Sequence, residues 1–165
     1  MRKLRQVKSK RKNTWTDLRI EIQQLCERLN ISSNDFKPIN INDWEKIEKS
    51  IWDKFSTYPP SNWIWNSLNC PSESAPINYQ TFNLNHIIPT KEKVWYILEE
   101  TVNEKSKFWC YEGTVEAVNN LFLGSSFSNE VIIVSKKLKW LLTIDHHDNI
   151  TGTGELMKEV VKLKQ

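Results

Sequence analysis

Val94-Trp95-Tyr96-Ile97-Leu98-Glu99-Glu100, followed six residues later by Lys107-Phe108-Trp109-Cys110-Tyr111-Glu112, is the stretch on which the fold turns. Both runs are rich in aromatic and β-branched side chains, the types that pack well on a pleated surface. Between them lies Asn103-Glu104-Lys105-Ser106, a polar turn, so the pair reads as a β-hairpin and implies antiparallel pairing.

Downstream, residues 114–121 read as a short helix. Thr114 is its cap, and Val115, Val118 and Leu121 or Phe122 face inward. Gly124-Ser125-Ser126 breaks it. Residues 130–135 and 139–146 form two more strands around Lys136-Lys137, residues 149–154 a loop, and residues 155–163 a closing helix on Leu156, Val160 and Leu163.

Upstream, Trp15, Leu18, Ile22, Leu25 and Leu29 recur at helical spacing and predict a helix over 14–29, with Thr14 as cap and Asn30 as stop. A connector occupies 31–41. Trp44, Ile47, Ile51 and Phe55 predict a second helix over 43–56, started by Asn42 and Glu45 and ended by Tyr58-Pro59-Pro60. Residues 61–90 are irregular, with at least one short element that the pattern does not place. The expected architecture is α+β: an antiparallel sheet of about four or more strands from residues 94–146. Helices pack against it, two of them N-terminal and one C-terminal.

Net charge is +3, from 23 basic and 20 acidic residues, but it is unevenly spread. Seven positive and no negative charges fall within residues 1–13, a basic tail or helix extension. Setting them aside leaves 16 basic against 20 acidic residues, so the expected single domain, 14–165, is mildly acidic at −4. The tail has no aromatic residue to stack on bases, and the body is acidic, so direct nucleic-acid binding is not expected. Cys26, Cys70 and Cys110 are odd in number and include no CxxC pair, which argues against structural zinc and suits a reducing cytosol. No apolar stretch is long enough for a leader or a membrane span, so a cytoplasmic location is expected.

Nucleophile, P-loop and HExxH motifs are absent. Asp145-His146-His147-Asp148 is the densest polar cluster. On a strand, Asp145 and His147 would share one face and His146 and Asp148 the other. That supplies two ligands per face, short of the three a catalytic zinc needs, and a residue such as His86 would have to complete the set. Gly152-Thr153-Gly154 lacks the third glycine of a dinucleotide fingerprint and reads as a loop entering a helix. Glu99, Glu100, Glu104 and Glu112 form a negative patch on the predicted hairpin, suited to a basic partner. The eight Trp belong mostly to the core, but one or two, such as Trp95 or Trp109, are candidate anchors on a binding surface.

The run from Val134-Ser135-Lys136 through Trp140-Leu141-Leu142 to Asp145-His146-His147-Asp148, with a glycine shortly after, resembles a group of small Bacillus prophage proteins. These are the YokJ-like immunity partners of LXG polymorphic toxins. The resemblance spans roughly residues 90–155. It implies a cytosolic antitoxin that neutralises a toxic nuclease domain by covering its active site, with no catalysis and no cofactor. It transfers no contact residues. The partner-facing candidates therefore come from the charge and aromatic pattern: Glu99, Glu100, Glu104 and Glu112; Asp145, His146, His147 and Asp148; Trp95 and Trp109. The alternative expectation is a metal-dependent hydrolase or nuclease centred on residues 145–148.

Overall fold

A computed structural model describes residues 18–57, 64–100, 107–125 and 130–164. The order of elements is α1 (Leu18–Arg28), β1 (Phe36–Pro38), α2 (Ile41–Phe55), β2 (Ser72–Pro76), β3 (Lys93–Glu100), β4 (Lys107–Thr114), α3 (Val115–Gly124), β5 (Val131–Ser135), β6 (Leu141–Ile144), β7 (Asn149–Thr153) and α4 (Met157–Lys162). Single 3-10 turns occur at Ile64–Asn66, Leu84–His86 and Gly154–Leu156. The seven strands make one sheet in the order β1-β4-β3-β5-β6-β7-β2, with every neighbouring pair antiparallel. The architecture is α+β, as the hairpin pattern predicts.

β3 and β4 pair over eight residues, from Lys93 opposite Thr114 to Glu100 opposite Lys107. β3 pairs β5 on its other edge, Val94 opposite Ser135 and Leu98 opposite Val131. Side chains alternate between faces. Val94, Tyr96 and Leu98 join Trp109, Tyr111, Ile133 and Leu142 in one apolar layer, covered by α1, α3 and α4 through Ile22, Leu25, Val118, Phe122 and Val160. Ile97, Cys110, Ile132, Val134 and Leu141 point the other way, against Ile51 and Phe55 of α2 and Ile64. Burial on both faces explains why β5 and β6 read as continuous apolar runs. Burial also pushes the Cys110 thiol up to about 12, with Glu48 and Glu112 adding to the effect, so it sits in the core as an inert small hydrophobe.

The structure corrects several boundaries. Residues 149–153 are a strand, not a loop. Their polar composition, Asn-Ile-Thr-Gly-Thr, hides a ladder that β6 and β2 complete on either side. The 31–41 connector contains β1, and the irregular segment contains β2 and two 3-10 turns. α2 starts at Ile41, two residues earlier than expected: its cap is Asn40, whose Oδ1 accepts from the Asn42 amide, and not Asn42 itself. Leu29 lies outside the buried stripe and is exposed, because α1 ends at Arg28 and Asn30 takes the left-handed conformation, φ 52°, that closes the helix. Thr114 caps α3 as read, its hydroxyl accepting from the Ala117 amide at 3.3 Å. Thr14, Trp15 and the 103–106 turn lie outside the described residues.

Two glycines permit close approaches that a side chain would block. At Gly113 an added Cβ would lie 2.7 Å from Phe36 Cδ2 and 2.9 Å from the Asp35 carbonyl oxygen, so glycine lets β1 close on β4. Gly154 has φ +61°, and its Cβ would fall 2.1 Å from the Lys139 carbonyl oxygen. Gly154→Ala is therefore expected to combine a left-handed backbone cost of about 1–2 kcal/mol with a clash against backbone. Urea denaturation should show a loss of at least about 2 kcal/mol; a midpoint equal to that of the unsubstituted chain would refute this reading of the β7–α4 junction.

Candidate functional site

The register of the sheet decides which polar residues meet. Leu98 faces Val131 and Val131 faces Ile144, so one end of the sheet carries Glu99 and Glu100 at the close of β3, Glu130 just before β5, and Asp145 just after β6. On the far side of the turn, β7 begins at Asn149, opposite Pro76. Residues 145–148 are thus the β6–β7 turn. They do not alternate between faces as they would on a strand.

Asp145 builds that turn. Its Oδ1 accepts from the backbone N–H of His147 at 2.8 Å and of Asn149 at 3.0 Å. This is the local side-chain to backbone bonding that makes Asp a turn residue. Asp148 takes the left-handed conformation at φ 58°, which a short polar side chain tolerates. His146, His147 and Asp148 consequently stand exposed at the tip, while Asp145 is half-buried beneath them. The His146 and His147 rings lie 3.9 Å apart between centroids. His146 Nδ1 meets Glu130 Oε1 at 2.7 Å, and Glu130 is only 8% exposed, unusual for a carboxylate. Where the carboxylate accepts, the proton sits on Nδ1 and the ring is held in one orientation.

Glu130 was not a candidate from sequence. Its signal was positional: the residue before a fully buried strand, opposite the start of the polar turn. The other candidates separate. Glu104 lies outside the described residues. Trp109 is buried in the layer under α1, edge-on to Trp44 with centroids 5.2 Å apart, and the Arg19 guanidinium lies 4.7 Å from its ring centre. Trp95 is half-buried, and its strand position lies towards the opposite end of the sheet. Glu112 sits across from it, held by Lys37 at 3.1 Å and Lys136 at 2.5 Å. His86 belongs to the 3-10 turn that packs on α3. Among the described residues, no three His, Cys, Asp or Glu side chains come together to hold a metal ion.

A family model matches residues 14–164. The chain belongs to the family of unknown function DUF6756. No curated protein and no solved structure matches this DUF6756 chain. No helix among its described residues is long and apolar enough to cross a membrane.

The two lysines give Glu112 a measurable signature in this DUF6756 sheet. The hydrogen bond from Lys136, then that from Lys37, holds its carboxyl below the ordinary value, against a desolvation that acts the other way. A depressed carboxylate contributes stability that is complete above the ordinary carboxylate range and is lost as pH falls through the depressed value. Glu112→Gln should thus lower stability at neutral pH by less than about 1 kcal/mol, since the lysines are solvated. The gap to the unsubstituted chain should close as pH falls below about 4. A gap that widens in acid would contradict the assignment.

Proposed function

We propose that this protein is an immunity protein that binds a cognate toxin domain, covers its active site or substrate path, and does no chemistry. The observation that carries the reading is that strand register brings the positions of Glu99, Glu100, Asp145 and Asp148 to one end of the sheet, where Lys107 stands opposite Glu100. Such an end is complementary to a cleft lined by Lys and Arg, as the cleft of a nuclease toxin is expected to be. The similarity to prophage immunity proteins in the 134–148 run supports the same reading. The β-turn geometry adds that the presented groups stand on a hairpin fixed at its base by Asp145, so little order has to be imposed on binding.

The alternative, a metal-dependent hydrolase or nuclease at the same turn, draws on the His146–Glu130 contact, which would orient the imidazole as a base or ligand. It needs further ligands, and its mark would be stoichiometric zinc or manganese in the purified protein.

The test uses a pair of substitutions that keep the turn and remove charge. Asp145→Asn retains the oxygen acceptor, and Asp148→Gly suits the left-handed backbone. Co-expression with the toxin encoded alongside should protect a sensitive host. The double variant should bind that toxin with an on-rate lowered several-fold and a weaker salt dependence. If cells die equally fast with or without the unsubstituted protein and no complex is recovered, the immunity reading fails.

A further inference from the structure

The opposite end of the sheet has the opposite chemistry. Lys93 opens β3, Lys136 and Lys137 form the β5–β6 turn, Lys139 follows it, and Lys37 lies on β1. Three shallow depressions adjoin there through shared lysines. One, about 590 Å³, holds Trp95 between Lys37, Lys46 and Lys136. A second, about 430 Å³, is lined by Lys93, Lys136, Lys137 and Lys139. The third, about 630 Å³, adds Lys54 and shares Lys137 and Lys139. Together they present seven lysines against four carboxylates, Asp43, Glu92, Glu112 and Glu155.

The carboxylates do not cancel the surface. Glu112 is engaged by Lys37 and Lys136, and Glu155 by Lys139 at 3.0 Å. Among the described residues, Lys46, Lys54, Lys93 and Lys137 have no ion-pair partner, and all four are exposed. The turn that carries Lys136 and Lys137 is anchored from below. Leu138 adopts a left-handed conformation, φ 53°, unusual for leucine, and its side chain packs against the Ile51–Phe55 layer. The Ser135 hydroxyl accepts from the Lys137 amide at 3.3 Å.

We propose that this lysine-lined end binds single-stranded nucleic acid without sequence preference, Trp95 giving a stacking surface and the lysines tracking the phosphates. One feature favours this partner over an acidic protein segment. Trp95 packs one side against the Ile97–Leu141 layer and lines the basic groove with the rest, and an aromatic face beside lysines is the combination that holds bases and backbone at once. The mildly acidic average of the body conceals this end because many of its carboxylates lie on the helices.

The test is fluorescence anisotropy with the full chain and a labelled single-stranded RNA of about 16 nucleotides. Lys93→Gln with Lys137→Gln should weaken binding at least about tenfold at low salt and reduce the slope of log affinity against log salt by about 1.4, the value for two lost phosphate contacts. The same loss should appear when Lys10, Arg11 and Lys12 are first changed to Gln, which removes part of the basic tail's contribution. Trp95→Leu should weaken binding about fivefold or more. Asp145→Asn with Asp148→Gly should leave RNA affinity undiminished, which separates this surface from the toxin-facing end. The proposal is overturned if RNA does not bind at low salt, if only the tail substitutions matter, or if polyglutamate competes as well as unlabelled RNA.

Discussion

Everything in this molecule depends on β3 being buried on both of its faces. Val94, Tyr96 and Leu98 enter one apolar layer and Ile97 the other, while β4 and β5 take the hydrogen bonds of its two edges. A strand so placed cannot slip by one residue, since a slip would exchange the two layers at once. With β3 pinned, the ends of β4, β5 and β6 are pinned too. The positions of Glu130, Lys136 and Asp145 beyond those ends follow from that constraint.

The main consequence is a sorting of charge along the strands. Antiparallel register sends Glu99 and Glu100 to the end where Glu130 and Asp145 lie, and Lys93 to the end where Lys136 and Lys137 turn. Charges that are interleaved along the chain are sorted towards different ends, though Glu92 and Glu112 stay among the lysines and Lys107 lies opposite Glu100. Each end is braced by short-range chemistry: Asp145 ties the backbone of its turn, and Glu112 bridges β1 to the β5–β6 turn through two lysines. Neither brace stores much energy alone, but both reduce the freedom of the turns that carry these charges.

The parts of the fold legible in the sequence are those whose apolar period is strong. α2 shows in Trp44, Ile47, Ile51 and Phe55, α3 in its Thr114 cap, and the β3–β4 hairpin in its aromatic and β-branched run. β7 and β2 were not legible, because Asn149 and Gly152 read as turn residues within Asn149-Ile150-Thr151-Gly152-Thr153, and Ser72-Glu73-Ser74-Ala75-Pro76 has no β-branched or aromatic side chain. They are strands because β6 presents an unsatisfied edge, and the Ser74 and Thr151 hydroxyls meet across the last pair at 2.7 Å. At the candidate site, the 145–148 cluster was visible as a dense polar word, but Glu130 was not, since its meaning comes from a partner 16 residues away.

The sequence by itself determined the α+β class, the β3–β4 hairpin and the helix stripes. These follow from local periodicity and from the burial that each period demands. Only the tertiary structure decided that Trp109 is core while Trp95 borders a lysine groove. The same holds for Glu112, which is bound to lysines while Glu99 and Glu100 share an end with Asp145. Two residues of one type, a few positions apart on paired strands, differ in face and in distance from the strand end. Register sets both, and register is a property of contacts between distant segments.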